Sequence, residues 1–401
     1  MTDMQHTPPE RSAGILDQAL GRVRRSAPLR RWGAVLALGA MGTGMGVARA
    51  AENAHRRAPA APLFAPDGVA VNAMVATTAP AGPDWDLPNL DHERVDFWVE
   101  RFTTSKRGEF TRFLERSGRY VPMISAKLAE RGMPQDLIYL AMIESGFNPS
   151  AYSPAAASGL WQFIEETGKR YGLAVNRAVD ERNDPVKSTD AALDYLTELH
   201  ERFGSWYLSA AAYNTGENRV ARIMREETGS ERGDEESYYR IWNRLPRETR
   251  DYVPLMIAAA RIAKEPAKYG FDTVQPEAPM TYEEVVVDPG APLDAVARAA
   301  GIPVKEVKDL NPQLTLDRTR NDRRSVIRVP EGTRTAFLVN WPRVREERTL
   351  AVTEYRVRYG DSLLAIARRH GVTAEQIRQE NQIRGDRIRA GQTLRIPPAS
   401  G

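Results

Sequence analysis

PQDLIYLAMIESG, residues 134–146, is the stretch from which the fold of this chain is best read. Proline suits a first helical turn and glycine the position just past a last one, so Pro134 and Gly146 predict a helix between them. Leu137, Leu140, Ala141 and Glu144 stand at i, i+3, i+4 and i+7 and share one face. An apolar stripe therefore ends in a carboxyl group. Burial disfavours the charged form of that group, and so does the negative end of the helix dipole. Both push its pKa up, as a general acid working near neutrality requires. The stripe taken alone fits another reading better: an amphipathic helix whose Glu144 sits at the rim of the core, since single carboxylates at helix ends are common.

Helical periodicity extends outward from this segment, from about Trp85 to Tyr269. Ala192, Leu196, Leu199 and Phe203 line one face of a helix expected to start near Ser188-Thr189-Asp190 and to stop at Gly204. Another runs from Glu248 to Ala263, and breaks such as Asn183-Asp184-Pro185 lie between helices. Residues 84–275 thus read as an all-α domain. After Pro276 the pattern changes. Residues 281–330 and 353–397 share an outline: alternation (Val285, Val287; Tyr355, Val357, Tyr359), a turn (Pro289-Gly290; Gly360-Asp361), then a helix with Leu293 and Ala297 or Leu363 and Ala367. A glycine follows (Gly301; Gly371), then a second helix ending in Asn311 or Asn381, and a strand ending in Pro330 or Pro397. This is an internal β-α-α-β repeat. Its first copy reads as degenerate, a unit that packs or spaces.

The N-terminal part of the chain differs in kind. Residues 1–50 hold seven arginines against Asp3, Glu10 and Asp17, then an uncharged run from Gly33 to Val47, then Ala48-Arg49-Ala50. A basic flank, a short apolar run and an A-x-A site predict a secretory signal peptide. The run falls short of the roughly 20 residues of a comfortable membrane span, and an uncleaved anchor is the alternative. Ala- and Pro-rich residues 51–83 bury too little to offset their ordering entropy and read as a flexible linker. The net charge of +3 is too balanced to point to nucleic acid, and the absence of cysteine excludes disulfides, thiol catalysis and cysteine-ligated metal. His6, His55, His92, His200 and His370 have no metal-ligand spacing. Asp180, Glu181 and Asp184 lack a full calcium-loop pattern. No metal and no cofactor are expected.

Four blocks occur in order: Glu144-Ser145-Gly146-Phe147-Asn148-Pro149, Ala157-Ser158-Gly159-Leu160-Trp161-Gln162-Phe163, Ala212-Tyr213-Asn214-Thr215-Gly216, and Glu248-Thr249-Arg250-Asp251-Tyr252-Val253-Pro254. Together they resemble the lytic transglycosylase family of the lysozyme-like fold, in particular its membrane-bound lytic murein transglycosylase D subgroup. The resemblance implies a mainly α, lysozyme-like catalytic domain of the α+β superfamily, followed by small βααβ modules. It implies that Glu144 protonates the glycosidic oxygen between N-acetylmuramic acid and N-acetylglucosamine. Glu144 would then take the proton of the sugar's C6 hydroxyl as a 1,6-anhydro ring closes. Ser145, Gln162, Phe163, Tyr213, Asn214 and Tyr252 map onto substrate-binding positions. Gln162 and Asn214 offer both donors and acceptors, and Tyr213 and Tyr252 can orient the carboxyl. Trp161 and Phe163 suit either sugar stacking or the core, Phe163 the core more. The sequence departs from the family at Ala156, Ser158, Glu165 and Glu166. The two glutamates read as a solvated helix start. No partner acid for Glu144 stands out: Asp184, Glu165 and Glu166 are the nearby candidates, and each reads better as a loop or helix-start residue.

Residues 353–397 resemble a LysM module, from Tyr355-Arg356-Val357 through Gly360-Asp361-Ser362-Leu363 to Gly391-Gln392-Thr393-Leu394. Such modules bind N-acetylglucosamine-containing glycans between two loops, which here implies Gly360, Asp361, Ser362, Leu363, Asn381 and Ile388. Nine arginines against five acids make the module basic. The expected partner is the peptidoglycan glycan strand, not nucleic acid. A monomer is expected, exported to the periplasm or cell envelope, with membrane association if the N-terminal segment is uncleaved. A lysozyme-type hydrolase using the same Glu144, and a wall-binding protein with a decayed catalytic domain, are the alternatives.

Overall fold

The computed structural model describes residues 84–398. The expected signal segment and linker, residues 1–50 and 51–83, lie outside them. Among the described residues no helix is long and apolar enough to cross a membrane.

Helices build the first region. They are α1 (Glu93–Thr103), α2 (Arg107–Glu130), α3 (Ile138–Ser145), α4 (Glu165–Arg170), α5 (Pro185–Phe203), α6 (Trp206–Thr215), α7 (Glu217–Thr228), α8 (Glu235–Arg240) and α9 (Arg247–Lys264). The segment 134–146 does not form one amphipathic helix. A 3-10 turn at Gln135–Leu137 leads into α3, and Ile138, Leu140, Ala141, Met142, Ile143 and Glu144 are all buried. A helix apolar on every side belongs inside a core, and α3 packs against α2 and α9. Gly146 ends it in the left-handed conformation (φ 59°), with its N–H bonded to the Met142 carbonyl. A side chain there would also collide with the Phe113 ring.

Helix α5 begins three residues before the expected start. Asp184 caps it, accepting from the N–H groups of Val186 and Lys187, and Pro185 fills the first turn. Inside α2, Gly118 has a different reason to be glycine. The chain at Pro276–Glu277 crosses so closely that a Cβ would strike the Glu277 carbonyl. That crossing is fixed by Glu277 N–H to the Glu115 carbonyl (2.7 Å) and Met280 N–H to the Arg119 carbonyl (3.0 Å).

Two small βααβ units follow. The first has β1 (Glu283–Val287), α10 (Leu293–Ala300), α11 (Val304–Leu310) and β2 (Ser325–Val329), with the strands antiparallel and Val285 opposite Ile327. Helix α12 (Arg334–Ala351), which the periodicity does not predict, packs on α10 and β1 through Phe337 and Val344. The second unit has β3 (Thr353–Arg356), α13 (Leu363–Arg369), α14 (Ala374–Glu380) and β4 (Thr393–Ile396), again with an antiparallel pair of strands. One device recurs in both. The Asn311 side chain donates to the Val307 and Arg328 carbonyls and accepts from Arg328 N–H. Asn381 does the same with Ile377 and Arg395. Each asparagine staples the second helix to the closing strand.

The first unit is docked on the helical region. Nη2 of Arg328, on β2, donates to both oxygens of the Asp184 carboxylate at 3.0 Å, with the two side chains 8% and 2% exposed. Val179 and Leu314 form a short antiparallel bridge, and Asp180 N–H bonds the Gln313 carbonyl at 2.8 Å. The second unit touches its neighbours through ion pairs: Glu375 with Arg177, and Glu380 with Arg318 and Arg348.

Candidate active site

Glu144 is buried in the last turn of α3, 7% exposed. Its carboxyl oxygen Oε1 accepts from the Tyr252 hydroxyl of α9 at 2.5 Å. Burial pushes the carboxyl up to about 8; the Tyr252 hydrogen bond opposes this and the nearby Glu248 carboxyl adds to it. Tyr252 and Tyr213 are raised far above the usual phenol range, by burial first and then by Glu144, so both act as neutral hydroxyl groups. Tyr213, on α6, donates to the Trp161 carbonyl at 2.8 Å. It thereby ties α6 to the loop carrying Gln162.

That loop is held in a strained form. Gln162 has φ 49°, a region that costs a residue with a Cβ free energy. Its Nε2 donates to the carbonyls of Gly159 (2.9 Å) and Ala151 (3.2 Å), which leaves the side-chain oxygen as the group a ligand would meet. Arg182 braces the loop from below: it is 4% exposed, pairs with Asp180, and donates to the carbonyls of Ala156 and Phe163. Ser145 donates to the Leu160 carbonyl at 2.9 Å and accepts from Asn148 N–H, so it joins α3 to the same loop.

One expected substrate-binding position changes, one open reading is decided, and two residues stand where the sequence put them. Phe163 is 2% exposed with its ring edge-on to Tyr213, so it belongs to the core and presents no face to a sugar. Trp161 is fully buried, its indole N–H on Thr189 at 2.9 Å. Asp184 is a helix cap in a buried ion pair, and Glu165 lies exposed at the start of α4, its pKa lowered by Lys169. The acid that the sequence blocks do not single out is Glu248. Its half-buried carboxyl is pushed up to about 7 by burial, and it acts electrostatically on Glu144. Among the described residues its Oε1 has no hydrogen-bond partner, and neither does Asn214 Nδ2, whose Oδ1 accepts from Thr249 at 2.8 Å. The signal available was position: Glu248 stands four residues before Tyr252, one helical turn away on the same face.

In the second βααβ unit the expected glycan-binding residues are largely architectural. Leu363 is core (1% exposed), and Ser362 caps α13 through Ala365 N–H. Asp361 accepts from the Tyr355 hydroxyl and from Arg358 N–H, both at 2.8 Å, and Asn381 is the staple already described. Ile388 packs on the core, and Gly360 (φ 85°) makes the turn. The large side chains turned outward beside that turn are Tyr359, 98% exposed, and Leu364, 55% exposed. Among the described residues no group of three or more His, Asp or Glu side chains is placed to hold a metal ion.

The site is a buried acid on a core helix, bonded by one tyrosine with a second nearby, and it is followed by two βααβ units. Residues 122–235 match the transglycosylase SLT domain, 281–345 the LysM-like domain of lytic transglycosylase MltD, and 355–397 the LysM domain. These three matches place a transglycosylase SLT domain and two LysM-type domains in the chain. The chain is 33% identical over 296 residues to membrane-bound lytic murein transglycosylase D of Escherichia coli (strain K12), covering 71% of this chain and 65% of that protein. The chain thus spans a little under two thirds of that relative's length. Membrane-bound lytic murein transglycosylase C of Histophilus somni (strain 2336) is 30% identical over 123 residues, 27% of this chain and 34% of that one. Among solved structures, the 70 kDa soluble lytic transglycosylase of Escherichia coli aligns with a TM-score of 0.33 and 24% identity, covering 42% of this chain and 28% of that chain.

Proposed function

We propose that the chain is a carbon–oxygen lyase that cleaves peptidoglycan between N-acetylmuramic acid and N-acetylglucosamine, leaving 1,6-anhydromuramic ends. The observation that carries this is Glu144, an acid held protonated by burial and oriented by Tyr252. At neutral pH it has a proton to give. Donation to the glycosidic oxygen lets the C1–O bond break. The resulting carboxylate takes the C6 hydroxyl proton while O6 bonds to C1, so the carboxyl ends as it began. The nucleophile is part of the bound sugar, and its proximity replaces a bimolecular step. The side-chain oxygen of Gln162, Asn214 Nδ2 and the Tyr213 and Ser145 side chains would meet sugar hydroxyls and acetamides. The LysM residues 353–397 hold the enzyme to the wall, with Tyr359 and Leu364 the outward-facing groups. The basic, then apolar N-terminal segment and the membrane-bound relatives support export to the envelope and action in the periplasm.

Glu248 favours a second reading, hydrolysis, because it supplies the second carboxyl group that water activation needs. The deciding experiment digests purified sacculi and weighs the separated muropeptides. Anhydro ends from the earliest time points support the lyase; dominant reducing ends overturn it. Glu248→Gln sharpens the test. In the lyase it removes a neighbour that raises Glu144, so the alkaline limb of kcat/KM moves to lower pH with turnover retained; in the hydrolase turnover is lost.

A further inference from the structure

A cavity of about 470 Å³ lies on the seam between the helical region and the first βααβ unit. One wall is α2, with Arg116, Arg119 and Tyr120; the other is the end of α11 and the loop after it, with Lys308, Asp309 and Asp317. Its floor includes Phe147–Ser150, which directly follow the helix that ends in Glu144 and Ser145. Arg116 fixes this relation, donating to the Gly146 carbonyl at 2.8 Å. The floor of the cavity is thus the stretch of chain that follows Glu144, two residues past the end of its helix. The cavity is preformed, because Arg328–Asp184 and the Val179–Leu314 bridge hold its two walls together.

Its lining is charged in both signs. Lys308 and Asp317 neutralise each other at 2.7 Å. Arg116 donates to the Gly146 carbonyl and feels the charge of Glu277 across the lining, and Arg119 lies beside the Tyr120 ring. Two guanidinium groups and one carboxylate on a rim of this size suit a small ligand bearing carboxylates and an amine. Arginine favours carboxylates through its planar fork of donors. A bare glycan strand carries no amine, but the short peptide hanging from it carries both groups.

We infer that this seam binds the peptide of the wall polymer, with Arg116 and Arg119 on its carboxylates and Glu277 on its amine. The inference rests on peptidoglycan being the substrate, and it gives the first βααβ unit a role of its own, completing a peptide site instead of binding glycan. Full chain is titrated calorimetrically with the free peptide L-Ala-γ-D-Glu-meso-diaminopimelate, as wild type, Arg119→Glu and Lys308→Glu. Cleavage rates are read on peptide-bearing strands and on strands stripped of peptide. Saturable binding that weakens about tenfold, near 1.4 kcal/mol, in Arg119→Glu is expected. So is a fall toward one in the ratio of kcat/KM on peptide-bearing over stripped strands. Lys308→Glu, on the opposite wall, gives a smaller loss of the same sign. No saturable binding by wild type, or equal affinity in all three folded proteins, overturns the site. Wild type that cleaves sacculi yet ignores the peptide overturns the site alone. Wild type that binds the peptide yet cleaves nothing supports the site and overturns the lyase.

Discussion

The polar groups around Glu144 and the asparagine staples of the two βααβ units are treated in opposite ways. Asn311 and Asn381 each make three hydrogen bonds to backbone. Arg328 is met in part: its Nη2 donates to both oxygens of Asp184, while its Nε and Nη1 have no partner among the described residues. Around Glu144 the open groups are carboxyl and amide. Asn214 Nδ2 and Glu248 Oε1 lack partners among the described residues, Gln162 is strained, and two carboxyl groups hold pKa values of about 8 and about 7. Leaving a buried polar group unsatisfied costs about 1–3 kcal/mol. Sites that tolerate such costs are where a ligand is expected to supply the missing partner. The fully bonded asparagines mark architecture; the open groups next to Glu144 are the ones a substrate would complete.

The contrast can be broken most directly at Glu144. Glu144→Gln keeps the shape and removes the proton, and turnover of sacculi should fall by at least about 10² to 10⁴-fold. Near-normal activity in a folded variant would remove Glu144 from the mechanism. The same variant tests the electrostatics. An unfolded glutamate titrates at its ordinary 4.5 and the folded one at about 8, so between these values the folded state binds more protons. The stability Glu144 allows is complete below 4.5 and lost as pH rises through 8. Glutamine has no such dependence. Thermal scans should show the melting temperature of Glu144→Gln gaining on wild type as pH rises from about 5 to about 9, the window set by those two values. Parallel curves would contradict a raised pKa.

The architectural side breaks at Arg328. Arg328→Met strands Asp184 without a counter-charge, and losing one partner of a buried pair costs about 3–5 kcal/mol. Denaturation of the full chain should show the loss, with new protease sensitivity near residues 270–281. A smaller cost is expected for the asparagine staples. Asn381→Ala should cost about 1–3 kcal/mol and melt the second unit ahead of the rest, while Asn311→Ala spreads its cost over the docked body. Identical single transitions in both would erase the difference between the units. The smallest effect is at Tyr359. Losing one exposed ring should weaken sedimentation with sacculi by roughly 0.5–1.5 kcal/mol, with cleavage of soluble fragments retained.

Much of this was legible in the chain itself. The period of the apolar residues separated a helical region from two βααβ units, because side-chain direction repeats every 3.6 residues in a helix and every 2 in a strand. The order of four blocks singled out Glu144, and Asn311 and Asn381 stood at matching places in the repeat. Position along a chain, however, does not say what a side chain faces. Only the tertiary structure put Phe163 in the core, turned Leu363 inward and Tyr359 outward, brought Glu248 beside Glu144, and set Arg328 on Asp184 across 144 residues. Burial, desolvation and ion pairing depend on distance in space, and packing alone fixes those distances.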